Sequence, residues 1–445
     1  MSISLLLKNN LTNIPPSIGR IINKIPYSLR PGLGTIYRNR KKEIAFFEQS
    51  NILETKAFIF EKMKTLVDFS YSNIKFYKDY YDKVGFKPSD LISFEDISKI
   101  PIINKSILNQ FPLEDRSYKF KDSYVVNTGG SSGTPFSFYI LPDSMGHEWA
   151  HMHSIWEKLG YKSSDLKLLF GGRSDIQNLL NYDVLRNHFA IDIYASYDKV
   201  SKKLKKILKK YKIKYLHGYP SSIYDFAVYC EKFDPELLKL LRKSLKGAFL
   251  GSEYPHYHYR NKIEEVFNIK TISWYGHTER AVLAYEKEKP FHYSPFISYG
   301  YAEAVINNLK EWELVSTSYY NFTSPLIRYN TEDIIDDPIT ENGVLTSFKI
   351  VKGRSGEFVI DRLGKSINLT ALIFGRHHKL FNYSKFIQIK QLENGKLEVY
   401  YVSDIIPEHE ASEYFDQENL NFDLSFKKLD EPIRSISGKV GLLIK

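Results

Sequence analysis

Cysteine is all but missing from this chain: Cys230 stands alone among 445 residues. A single thiol excludes an internal disulfide and a cysteine-based zinc site, and it fits a reducing, cytosolic compartment. Long apolar runs are missing as well. Nowhere do about 18 apolar residues follow one another, so no membrane span is expected. The apolar start, Met1 to Leu7, has no basic flank and runs into Lys8-Asn9-Asn10 without a small-residue cleavage site, so a secretory signal is not expected. Acid is scarce relative to base: 52 Asp and Glu face 62 Lys and Arg, a net charge of +10. That excess comes with no nucleic-acid-binding module or aromatic–basic repeat, so nucleic acid is not an expected partner. Most of it is local, with nine lysines and one acid between Asp198 and Lys214. Val200, Leu204, Ile207, Leu208 and Tyr211 recur there at helical spacing, leaving one apolar face. The segment 199–214 reads either as a solvated amphipathic helix or as peripheral contact with an anionic membrane or polyanionic glycan precursor.

Against these absences stands a run rich in glycine and hydroxyls, Asn127-Thr128-Gly129-Gly130-Ser131-Ser132-Gly133-Thr134-Pro135. Glycines let backbone N–H groups turn inward with no Cβ in the way, and such a nest holds anions. Phe136, Phe138, Tyr139 and Ile140 follow as a strand, so the run reads as a phosphate loop between strands, with an ordinary Ser/Gly turn as the alternative. It is not a Walker loop, because no lysine follows Gly133.

Further motifs follow in order. They are His217-Gly218-Tyr219-Pro220-Ser221-Ser222, Gly251-Ser252-Glu253, Trp274-Tyr275-Gly276-His277-Thr278-Glu279 and Leu326-Ile327-Arg328-Tyr329-Asn330-Thr331-Glu332-Asp333. Gly353-Arg354-Ser355-Gly356-Glu357 and Ser437-Gly438-Lys439 complete the series. In this order and spacing, from about residue 90 to the end, the chain resembles the AMP-forming, acid-activating (adenylate-forming) ligases. Within them it looks like the phenylacetate–CoA ligase relatives of capsular polysaccharide pathways, the CapK-like branch.

The resemblance implies ATP-dependent conversion of a carboxylic acid to acyl-AMP and pyrophosphate, followed by transfer to coenzyme A or to an amino or hydroxyl group of a sugar or glycan. Thr128, Gly129, Gly130, Ser131, Ser132 and Gly133 are then expected to hold phosphates. Thr278 should lie near the α-phosphate, and Glu279 should bind Mg²⁺, a hard ion that takes few protein carboxylates. Gly251, Ser252, Glu253, Tyr275, Gly276 and His277 are expected around the nucleotide, with Asp333 and Arg354 at the ribose. Tyr219, Pro220 and Ser221, with His277, are expected to line part of the acid pocket. Lys439 is the expected catalytic residue, bridging substrate carboxylate and α-phosphate. Glu332 replaces a frequent glycine before Asp333. A scaffold that keeps the nucleotide site within a glycan-assembly complex is the alternative from another class.

Rival readings make Glu279 a surface acid paired with Arg280, and place His256, His258, His377 and His378 at the surface or a pocket rim. Residues 1 to about 45 carry Pro15, Pro16, Pro26 and Pro31 and read as an extended or capping segment. A helical pattern runs from about Glu43 to Tyr81. Strands are expected at Leu166–Phe170, 215–216, 248–250 and 269–273, and helices at 143–159 and 221–233. Short strands follow Arg354. The alternation predicts an α/β fold with an α+β end, and the resemblance implies a large N-terminal domain, 1–352, of sheets with packed helices, a hinge at 353–357, and a small mobile C-terminal domain, 358–445.

Overall fold

The computed structural model describes residues 14–128, 136–173, 176–350, 358–373, 376, 378–384, 386–433 and 442–444. Residues Gly129, Gly130, Ser131, Ser132, Gly133, Arg354, His377 and Lys439, and the expected hinge 353–357, lie outside the described residues. The chain forms two compact units: Met1–Val126 with Ser137–Ser164 and Ile272–Gly353, and Asn127–Phe136 with Asp165–Thr271 and Arg354–Lys445.

The first unit opens on helices, and the prolines start them instead of keeping the chain extended. Pro16 is the first residue of helix Pro16–Ile22, and Pro26 caps the short turn Tyr27–Leu29. Proline's fixed φ suits a helix start, where its missing N–H has no partner to lose. Helix Gly34–Phe47 then begins nine residues before the expected pattern. The long helical stretch is broken at Asn51, whose side chain accepts from Glu54 N while Glu54 returns a bond to Asn51 N. This reciprocal cap starts helix Ile52–Asn73 afresh.

Four antiparallel strands of the same unit, Gly300–Ile306, Trp312–Ser318, Tyr329–Glu341 and Val344–Ile350, pair in chain order. With Val282, Ala284 and Tyr293, their Ala302, Leu314, Ile335, Leu345 and Phe348 form a closed apolar cluster.

The second unit is built on parallel strands. In sheet order these are Gly247–Leu250, Ile213–Gly218, Leu166–Phe170 and His188–Ile191, with Leu180–Asp183 antiparallel at the edge. Near-continuous apolar runs such as Ala248-Phe249-Leu250 fit strands covered on both faces. Helices Tyr197–Leu208, Pro220–Lys232, Pro235–Arg242 and Tyr257–Phe267 supply crossovers, and Phe226 links Phe170 and Phe267 by ring contacts at 5.2 and 6.1 Å. The expected α/β class is borne out.

The C-terminal part of this unit is a four-stranded sheet ordered Asp423–Lys428, Lys396–Val402, Phe386–Glu393, Leu443–Ile444. Two of its cations anchor on residues following His188–Ile191. Lys365 donates to the Ile193 carbonyl and lies 4.6 Å from the Tyr197 ring centre; Arg376 lies 4.8 Å from that of Tyr194 and pairs with Asp416 at 2.8 Å. His378, expected at the surface or a pocket rim, is buried instead. It stacks on Phe415 at 3.6 Å and bonds both Leu372 O and Asp416 N, which an apolar site demands of a buried imidazole. No described helix is long and apolar enough to cross a membrane.

Arg328 anchors the first unit through a side chain bonded on three sides. Its Nε and Nη2 each donate to Glu303 at 3.0 Å, and its Nη1 donates to Ser98 O and Ile100 O at 2.7 and 2.6 Å, all nearly buried. Removing one member of a buried pair strands the other charge. Arg328→Leu is therefore expected to cost about 3–5 kcal/mol in denaturant unfolding, with partial recovery in Arg328→Leu/Glu303→Leu. A loss below about 1 kcal/mol, the range of surface pairs, would show that the anchor is dispensable.

Candidate active site

Two groups of the expected residues take shape, one in each unit. In the first unit, strand Lys270–Gly276 ends at the Tyr275-Gly276-His277-Thr278-Glu279 segment. Arg280 adopts φ 57° and its N–H closes a turn onto His277 O, which folds Glu279 back to 8% exposure. Thr278 stays exposed. Glu279 accepts from His277 Nδ1 at 3.0 Å and faces Lys105 Nζ at 3.7 Å. Burial pushes its carboxyl pKa up, but the His277 hydrogen bond and the charges of His277 and Lys105 outweigh this and hold it at about 2. The surface pairing with Arg280 does not occur: Arg280 donates to Ser144 Oγ at 2.9 Å and sits 3.9 Å from Glu148.

Lys105 escaped sequence reasoning because it lies some 170 residues before Glu279 in a short, unremarkable helix, Lys105–Leu108. Its place is set by backbone. Ile103 N donates to Arg328 O at 3.1 Å and Asn330 N donates to Ile103 O at 2.8 Å, while Asn104 Oδ1 caps the helix by accepting from Ile107 N.

The same segment positions Asp333. Glu332 takes φ 60°, the left-handed region that the replaced glycine would enter freely. It is held there by its N–H to Asn330 Oδ1, while Thr331 Oγ1 bonds Leu314 O and accepts from Asp333 N. Asp333 Oδ2 accepts from Tyr275 OH at 2.6 Å, so the two expected nucleotide residues meet directly. His277 Nε2 is buried with no hydrogen-bond partner among the described residues. No cluster of three metal-ligating side chains occurs among them.

In the second unit the expected residues gather outside the carboxyl ends of parallel strands, the edge where open α/β sheets bind ligands. Gly218 ends its strand at φ 132°, and a Cβ there would lie 2.1 Å from Phe170 O. Tyr219 N reaches Phe170 O and Gly251 N reaches Gly218 O, tying three strand ends together. Tyr219 is buried, Pro220 opens helix Pro220–Lys232, and Ser221 follows. Ser252 takes φ 67°, and Glu253 accepts from Ser221 N at 3.2 Å and Ser221 Oγ at 3.1 Å, a carboxylate at a helix N-terminus. Thr128 ends strand Tyr124–Thr128.

Burial raises the Glu253 carboxyl to about 7 and that of nearby Asp225 to about 6, the latter opposed by Lys365. A carboxyl raised in the folded state stabilises it while protonated, so stability falls as pH climbs from the usual carboxyl range through 7. Glu253→Gln is expected to flatten this fall when melting temperature is followed across that window. Superimposable pH profiles for the two proteins would show that Glu253 is not the titrating group.

No protein-family model matches the chain. Protein CapK of Staphylococcus aureus is 23% identical over 358 residues, spanning 76% of this chain and 78% of that protein. Among solved structures, 2-hydroxyisobutyryl-CoA ligase in complex with 2-HIB-AMP and CoA in the thioesterification state is similar with a TM-score of 0.56. It is 17% identical, covering 88% of this chain and 90% of that one. The same ligase in its postadenylation state with R3-HIB-AMP gives a TM-score of 0.53 at the same identity and coverage. The chain thus has the fold of the AMP-forming CoA ligases, in agreement with the motifs that resemble the adenylate-forming superfamily.

Proposed function

We propose that this protein is a cytosolic AMP-forming ligase. It activates a carboxylic acid as acyl-AMP and passes the acyl group to an acceptor in surface or capsular polysaccharide assembly. The observation that carries the reading is the buried, ionised Glu279 in the segment that also presents Tyr275 to Asp333. A nucleotide site needs a fixed carboxylate for a hard cation and a second one for ribose hydroxyls, and these two are separately held.

In the first step a substrate carboxylate oxygen attacks the α-phosphorus of ATP, and the bond to the β-phosphate oxygen breaks to release pyrophosphate. Two anions must meet, so donors and positive charge have to be in place beforehand. Thr128 and the glycines and serines of 129–133 hold the β- and γ-phosphates. Glu279 is suited to Mg²⁺, an oxygen-seeking ion, which when bound would neutralise phosphate charge. His277 and, to a lesser degree, Lys105 keep Glu279 anionic, and Lys105 adds its own charge beside it. Within the first unit Thr278 is assigned to the α-phosphate, Tyr275 to the base and Asp333 to the ribose, and the resemblance gives the 251–253 segment and Arg354 nucleotide roles as well. Tyr219, Pro220 and Ser221 line the acid pocket, and Lys439 bridges the reacting oxygens.

The CapK likeness supports transfer to an amino or hydroxyl group of a sugar nucleotide or lipid-linked glycan. The likeness to 2-hydroxyisobutyryl-CoA ligase supports coenzyme A instead, and an acceptor screen with preformed acyl-AMP decides between them.

Pyrophosphate exchange into ATP, screened over carboxylic acids, is expected to respond to at least one acid. A folded protein that exchanges with none would overturn the ligase reading. Lys439→Ala is expected to slow adenylation by about 10²–10³-fold, the usual cost of one transition-state donor, with ATP binding by calorimetry little changed. An unchanged adenylation rate would remove Lys439 from the chemistry.

A further inference from the structure

Helix Tyr197–Leu208 buries Val200, Ser201 and Leu204 and spends two of its lysines on protein partners. Lys203 donates to Asn178 O, and Lys205 bridges Asp234 and Glu236 at 2.9 and 2.8 Å. The others point away. Lys199, Lys202, Lys206, Lys209 and Lys210 are exposed at spacings of 3, 4, 3 and 1, one face of a continuing helical turn, and exposed Lys212 follows. None of these six has an acidic partner among the described residues.

The neighbouring helix Pro235–Arg242 adds exposed Lys239, Arg242 and Lys243. Phe233 lies 72% exposed beside Asp234, the residue that holds Lys205.

We propose that this lysine face docks on an anionic phospholipid surface. Six compact, strongly hydrated ammonium groups are point charges, unlike the planar Arg forks that favour phosphate recognition in nucleic acids. A row of them on one helix side matches a flat sheet of negative headgroups, and Phe233 supplies an apolar group beside that basic region. The face plays no part in the proposed adenylation chemistry, and docking is read without turnover, so its failure leaves the ligase reading intact.

The full chain is floated with phosphatidylcholine vesicles, with and without phosphatidylglycerol, at low and high salt. Binding is expected only with the anionic lipid, and salt is expected to weaken it. Each lysine near such a surface contributes about fivefold in partition. Lys202→Glu/Lys206→Glu/Lys209→Glu should therefore lose about 100-fold or more, with an unchanged melting temperature. The control Lys64→Glu/Lys83→Glu/Lys121→Glu, on exposed lysines elsewhere, should lose far less. Absence of wild-type binding, or equal loss in both variants, overturns the proposal. Heparin binding that the triple variant loses, without vesicle binding, also overturns it and assigns the face to a soluble polyanion.

Discussion

The Arg328 guanidinium, shared between Glu303 and the carbonyls of Ser98 and Ile100, is the constraint on which the first unit's site depends. It clamps the segment before Ile103 against the start of strand Tyr329–Glu341. The Ile103 bridge continues that clamp, so one rigid junction delivers Lys105 to Glu279 and Asp333 to Tyr275. Burial raises the Glu303 pKa, and the charge and hydrogen bonds of Arg328 oppose that rise. Glu279 and Asp333 are thus placed by a third carboxylate, Glu303, that is fully committed to structure.

Electrostatics in the two units runs in opposite directions. Glu279 is buried beside His277 and Lys105, which hold its pKa well below the usual carboxyl range. Glu253 is also withdrawn from water, but among the described residues it meets only Ser221's hydroxyl and backbone donors, with Asp225 as a like-charged neighbour, so its pKa rises instead. Burial is common to both. The partner decides the sign. One carboxyl is suited to hold a cation, while the other carries a proton readily lost near neutrality.

Much of the fold was legible in the chain. The alternation of short apolar runs with amphipathic stretches announced the parallel sheet, because strands covered on both faces leave no polar alternation. Tyr275 and Asp333 were found through motif order and do meet. Less local features were hidden. The prolines of residues 15–31 suggested extension, yet proline is equally at home at a helix start. His378 looked exposed, because nothing adjacent in sequence shows that Phe415 and Asp416 close over it.

By itself the sequence determined the α/β class, the strand and helix periodicities, the lysine-rich face, and the residue types available for phosphate, cation and ribose. These follow from local spacing and side-chain chemistry. Tertiary structure alone decided that Lys105 faces Glu279, that Arg280 does not, and that Glu253 caps the helix of Ser221. It also decided that Glu332 sits in a glycine-like conformation. Such pairings depend on which distant segments share backbone hydrogen bonds and on which charges are buried together, and no local pattern encodes either.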